Sequence, residues 1–159
     1  GPSVFDPVLK SGSGAVKLAS GESLRTLLRK VDIVTPNLPE ATALIGTATD
    51  VPSLAEMLRT LGCKAVLLKT GHAPSCDAQI RDYWADAKGG SWMSPLKRLD
   101  IDVRGTGCQL SSAVAAGLAW GLEPIAAAER ARQYLNNYLN EARHIGAGRA
   151  VVLRTPKLL

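Results

Sequence analysis

The chain has 159 residues, 46% of them hydrophobic and 21% charged, which is enough to bury a core and sized for one domain. Nineteen Lys and Arg against 14 Asp and Glu give a net charge of +5, but the basic residues stand singly and aromatics make up only 4%. That pattern speaks against nucleic acid and suits a phosphorylated small molecule.

No apolar run reaches the roughly 18 residues of a membrane span, so no membrane partner is expected. The N-terminus has no basic stretch leading into an apolar core, as a signal peptide would. It opens Gly1-Pro2-Ser3, without an initiator Met, and runs straight into a strand-like segment, which reads as a piece of a longer sequence. Cys63, Cys76 and Cys108 are odd in number and have neither CxxC spacing nor His partners. A disulfide framework and a zinc site are both disfavoured, and a reducing cytoplasm is the expected compartment.

Strand-like and helix-like pieces then alternate along the chain. Residues 3–9, SVFDPVL, form a short apolar run that ends in a Gly/Ser loop at 11–14. ESLRTLLRK places Leu24, Leu27, Leu28 and Val31 at helical spacing, with Ser20 or Ser23 available as a cap. DIVTPN is a second buried strand, stopped by Pro36, and a short helix follows over 39–45 with Pro in its first turn and Gly46 at its end. SLAEMLRTLG predicts an amphipathic helix that buries Leu54, Met57, Leu58 and Leu61. KAVLLKTG is the clearest strand.

From Ser75 to Asp100 the character changes. AQIRDYWAD and GSWMSPLKRLD, on either side of a Lys88-Gly89-Gly90 turn, predict an antiparallel hairpin. Helices are expected over 108–120 and 124–144, the second burying Ile125, Ala128, Leu135, Tyr138 and Leu139, and AVVLR is a last short strand. Together these predict an α/β fold: a layered, mainly parallel sheet flanked by helices, with an antiparallel hairpin appended. In such sheets ligands bind at the carboxyl ends of the strands. Asp6, Asn37, Lys69 and Thr70 all fall there.

Three features could carry chemistry, and each has a plain structural explanation as well. Gly105-Thr106-Gly107-Cys108 is a tight turn into a helix whose free N–H groups and dipole could cradle an anion. A cysteine at that helix start would have its thiol pKa lowered and could take or orient a proton. The same residues could instead be a glycine turn into a core helix with Cys as an apolar filler. Asn37 and Glu40, three apart, could organise a hydrated Mg²⁺, or could cap the helix they begin. Lys69 could neutralise a phosphate or simply face solvent.

Taken in order, FDPV, SGSG, VDIVTPNLPEATAL, GCKAVLLKTGH and RGTGCQLSSAVAAGLA resemble the hydroxymethylpyrimidine/phosphomethylpyrimidine kinases, thiamine-pathway members of the ribokinase-like superfamily. The resemblance covers essentially the whole chain. It implies a ribokinase-like fold and transfer of phosphate from ATP, with Mg²⁺, to hydroxymethylpyrimidine or its monophosphate. It further implies Cys108 as catalytic base and the Gly105, Thr106 and Gly107 backbone as anion hole. Lys69 would lie at the nucleotide phosphates, Asn37 and Glu40 at a magnesium/phosphate motif, and Asp6 near the metal.

Cys108 separates the chain from the superfamily's sugar kinases and most of its pyridoxal kinases, which resemble it but carry Asp at this place. Hydroxyethylthiazole kinases share Gly-Thr-Gly-Cys without the TPNLPEA stretch. A pyridoxal-type kinase is the nearest alternative, and a non-catalytic ligand-binding module derived from such a kinase is another. The family's N-terminal substrate segment has no match here, so the chain is expected to be the nucleotide and catalytic half. An exposed sheet edge would leave it open to self-association. Arg104, where His or Asn is usual, and Thr70, in place of a common glycine, depart from the pattern.

Overall fold

The structure is a computed structural model that describes residues 1–8, 21–71 and 78–152. Leu9, the loop at 11–14, Ser20, Cys76 and the last two residues of AVVLR lie outside the described residues. In chain order the elements are β1 (Val4–Phe5), α1 (Gly21–Leu28), β2 (Ile33–Val34), α2 (Leu38–Ile45), α3 (Val51–Arg59) and β3 (Ala65–Leu68). They continue as β4 (Gln79–Ile80), β5 (Tyr83–Asp86), β6 (Gly89–Trp92), β7 (Leu96–Lys97), α4 (Thr106–Ala119), α5 (Pro124–Asn140), β8 (Ala142–Arg143) and β9 (Val151–Val152).

One five-stranded sheet, ordered β1-β2-β3-β5-β6, divides the core in two. Val34, Val66, Leu68, Tyr83 and Ala85 point to one face, where Leu24, Leu28, Leu44, Leu54 and Leu58 of α1–α3 cover them. Ile33, Ala65, Leu67 and Trp84 point to the other, against Leu110, Val114, Ala127 and Ala131 of α4 and α5. β3 is apolar at every position because both its faces are covered.

β1–β2 and β2–β3 are parallel, whereas β3–β5 and β5–β6 are antiparallel, so the sheet is mixed. The predicted hairpin is not appended beside the sheet but forms its edge. Its first arm is buried on both faces, Tyr83 and Ala85 on one and Trp84 on the other, which only an interior strand allows. The second arm, Gly89–Trp92, is exposed throughout and ends the sheet. Beyond the Met93 N–H to Asp82 carbonyl bond at 3.0 Å the hairpin peels away, and β4 and β7 pair as a separate ribbon. Pro95, which has no N–H to give a ladder, lies at that parting.

The helices match the expected positions with local differences. α3 begins at Val51, capped by the Asp50 side chain on the Ser53 N–H at 2.7 Å, and buries Leu54, Ala55 and Leu58. Met57 and Leu27, each 39% exposed, lie outside the buried stripes. Ser23 lies inside the first turn of α1, whose range begins at Gly21. α5 stops at Asn140 instead of reaching His144, because Ala142–Arg143 pairs with Val151–Val152. Ile125 is exposed, and the buried stripe runs through Ala127, Ala128, Ala131 and Tyr134. Among the described residues no helix is long and apolar enough to cross a membrane.

β1 is only two residues long, so its register is set from outside the ladder. Asp32 accepts hydrogen bonds from the Ser3 N–H and hydroxyl at 2.7 and 2.9 Å and pairs with Lys64 at 2.6 Å. These contacts, Lys64 foremost, bring its pKa from 3.8 down to about 2. A carboxylate depressed by folding contributes stability above its unfolded pKa and loses it as the pH falls through the folded one. Asp32→Asn is therefore expected to be less stable than the wild type at pH 7, with the gap closing between pH 4 and pH 2. Urea-unfolding midpoints across that range measure it.

Candidate functional site

Because β1, β2 and β3 run parallel, the residues that follow them emerge on one edge of the sheet. Lys69 extends β3 by donating its N–H to the Pro36 carbonyl at 2.8 Å, which places it beside Asn37. Its ammonium reaches Asp6, beyond β1, and donates to Oδ1 at 3.0 Å, with the two side chains only 11% and 13% exposed. The eight residues singled out from the sequence, Asp6, Asn37, Glu40, Lys69, Gly105, Thr106, Gly107 and Cys108, all line one cavity of about 610 Å³.

The turn into α4 requires its glycines for different reasons. Gly105 has φ +79°, a left-handed conformation that favours glycine. Gly107 needs room: a Cβ there would lie 3.2 Å from Lys69 Nζ and 3.4 Å from Asp6 Oδ2. The Lys69–Asp6 pair is thus pressed against the first turn of α4. Among the described residues no side chain caps that helix, and its first N–H groups, which lack intrahelical acceptors, belong to residues that line the cavity. Deeper in, Ser111 Oγ donates to the Gly107 carbonyl at 3.0 Å and lies 2.8 Å from the buried Thr35 hydroxyl. That hydroxyl pair pins the turn to the end of β2.

Asn37 and Glu40 form a capping box. Asn37 Oδ1 accepts from the Glu40 N–H and Glu40 Oε2 from the Asn37 N–H, both at 2.8 Å. Capping explains the spacing, and it also fixes what Asn37 can offer. With Oδ1 engaged once by the helix, the amide still presents its N–H₂ donors, which suit a phosphate oxygen.

Cys108 is exposed and lies at the mouth of this site. Its thiol is pushed above its ordinary value, first by partial desolvation, then by the charge and hydrogen bond of Asp6, with Lys69 pulling the other way. The expected lowering by the helix start is not what these neighbours produce. Cys63 differs in kind: it is buried against the Leu58 carbonyl, and burial raises its thiol to about 11. Asp6 and Cys108 also line a second, smaller cavity of about 300 Å³ together with Val4, Val8, Ser111, Ser112 and Ala115. The two cavities therefore share three lining residues, Asp6, Val8 and Cys108.

Sequence reading missed part of the lining of the larger cavity. Leu135, Asn136 and Leu139 of α5 contribute to it, as do Leu99, Ile101 and Val103 from the segment before the turn. Asn136 holds that segment by donating to the Lys97 carbonyl at 2.9 Å. The half-buried 135/139 pair, one helical turn apart, was legible only as a core stripe. Asp82, buried and paired with Arg132, gave no signal at all.

Among the described residues no three His, Cys, Asp or Glu side chains come together as a metal cage. The donors present fit a Mg²⁺ that keeps its waters and rests on substrate phosphates with one or two carboxylates, such as Asp6, which lies against Gly107, and Glu40, which lines the same cavity.

A family model described as phosphomethylpyrimidine kinase matches residues 1–153. The chain is 36% identical over 154 residues to a hydroxymethylpyrimidine/phosphomethylpyrimidine kinase of Synechococcus elongatus, covering 92% of this chain and 58% of the relative. It thus spans somewhat more than half the length of the curated relatives it matches. Its fold superposes on a Staphylococcus aureus pyridoxal kinase in complex with AMP-PCP with a TM-score of 0.81 at 25% identity, over 94% of this chain and 56% of that one. A phosphomethylpyrimidine kinase from Clostridium difficile superposes with a TM-score of 0.65 at 30% identity, over 84% and 55%.

Proposed function

The chain belongs to the phosphomethylpyrimidine kinase family, and from that premise we propose that it is the nucleotide-binding and catalytic part of an ATP-dependent kinase for hydroxymethylpyrimidine and its monophosphate. The observation that carries this reading is that two cavities share Asp6, Val8 and Cys108 in their linings. The larger offers a nucleotide apolar lining from Leu99, Ile101, Leu135 and Leu139 together with Lys69, Asn37 and the α4 turn. The smaller, with Val4, Val8 and Ala115 around Ser112, suits the flat ring of an acceptor.

Transfer then runs in line from one cavity to the other. The acceptor hydroxyl oxygen bonds to the γ-phosphorus while the bond to the β,γ-bridging oxygen breaks, and ADP leaves. The Gly105–Cys108 turn receives the charge that spreads over the γ-oxygens, through N–H groups already in place. Lys69 adds a positive charge held in position by Asp6. The Cys108 thiolate takes the proton of the attacking hydroxyl. Mg²⁺, when bound, neutralises phosphate charge, and Asp6 and Glu40 would hold it through water or directly.

Pyridoxal is the competing acceptor, favoured by the fold likeness to pyridoxal kinases. Transfer of labelled γ-phosphate in a full-length protein carrying this chain separates the readings. Faster transfer to hydroxymethylpyrimidine and its phosphate than to pyridoxal is expected. The reverse order moves the substrate to pyridoxal, and nucleotide binding without transfer to either marks a non-catalytic module.

A further inference from the structure

The proposed transfer leaves one buried charge cluster without a part. The Arg132 side chain on α5 is 1% exposed, and its Nε donates to Asp82 Oδ2 at 2.8 Å while Nη1 donates to Glu129 Oε2 at 3.0 Å. Nη2 has no hydrogen-bond partner among the described residues. Apolar side chains would fill such a space with less loss of solvation, so packing alone does not require ions here.

The cluster's reach suggests its use. The second oxygen of Asp82, Oδ1, accepts the Thr70 N–H at 2.9 Å, immediately after Lys69. Thr70 Oγ1 donates to the Arg81 carbonyl at 3.0 Å, and Arg98 Nη1 donates to the Gly71 carbonyl at 2.9 Å. Both backbone positions that follow Lys69 are thereby held by side chains. Asp82 itself lines the large cavity, where a carboxylate without its guanidinium would repel phosphate.

We propose that Arg132 is a positioning residue: through Asp82 it fixes the Thr70 N–H, and with it the strand end at 69–71 that receives the nucleotide phosphates. It does this from outside the site, touching neither nucleotide nor acceptor. The inference rests on the kinase reading above. It also gives α5 two tasks, since Leu135 and Leu139, one and two turns further on, wall the same cavity.

The test compares affinities of this chain for MgATP and for adenosine, which has the base and sugar but no phosphates, by equilibrium dialysis with labelled ligand. Arg132→Met should weaken MgATP by about tenfold or more while adenosine changes by less than about twofold. Arg132→Lys, which can still reach Asp82 with one donor, should fall between Met and wild type. Asp82→Ala, which removes the acceptor of the Thr70 N–H without leaving a charge that repels phosphate, should show the same selective loss and serves if Arg132→Met does not fold. Equal losses for both ligands, or none, overturn the positioning role and leave the kinase reading standing. A wild-type chain that binds neither ligand overturns both.

Discussion

Replacing Cys108 by alanine is expected to lower kcat for phosphoryl transfer by roughly 10²–10⁴-fold in a full-length protein carrying this chain, with nucleotide affinity little changed. The direction follows from the proposed mechanism: Cys108 lines both cavities, where that reading puts the acceptor proton, whereas Leu135 and Leu139 line only the larger one. The raised thiol pKa adds a signature in pH. A base acts in its deprotonated form, and at neutral pH most of this thiol is protonated, so the rate should climb as the pH rises above 7. Asp6 repels the thiolate and Lys69 attracts it, which makes the climb sensitive to both. Cys108→Asp should restore part of the rate and remove the alkaline climb, because a carboxylate is already ionised at neutrality. A Cys108→Ala enzyme with full activity would take the thiol out of the mechanism.

The largest expected loss of stability comes from Arg132→Ala. Removing the guanidinium leaves the buried Asp82 and the partly buried Glu129 without their shared partner, a change that typically costs about 3–5 kcal/mol. For a domain of this size that lowers Tm by about 6–20 °C. The triple replacement of Asp82 by Asn, Glu129 by Gln and Arg132 by Met should recover much of the loss, since it leaves no uncompensated charge. Calorimetry of the single and triple variants measures both. A single variant within 1–2 °C of the wild type would mean that the cluster is solvated in solution and holds nothing in place.

The site was readable where its residues lie on successive strand ends. Asp6, Asn37 and Lys69 each follow a short apolar run, and in a parallel sheet such runs end side by side. The α4 turn was readable from its two glycines, one needed for φ and one for closeness to Lys69. What resisted reading depends on pairing across distance. Arg132 and Asp82 are 50 residues apart, and each alone looks like a surface charge. The place of the hairpin in the sheet depends on Trp84 finding α4 and α5, which its local alternation does not reveal. The thiol of Cys108 shifts upward because the fold partly desolvates it and then sets Asp6, 102 positions earlier, against it, whereas its helix position alone argued for the opposite.

The most direct test of the central claim, that this chain holds a working MgATP site, is thermal unfolding with and without saturating MgATP, repeated with Asn37→Ala. Ligand at about 100-fold over its Kd stabilises by about 2.7 kcal/mol, which moves the midpoint by several degrees. Asn37→Ala lowers the starting midpoint through loss of the α2 cap, about 1 kcal/mol, so the increment on adding ligand is the quantity to compare. A wild-type increment of several degrees that shrinks in the variant is the predicted result. No increment in the wild type, or one untouched by the loss of Asn37, would contradict it.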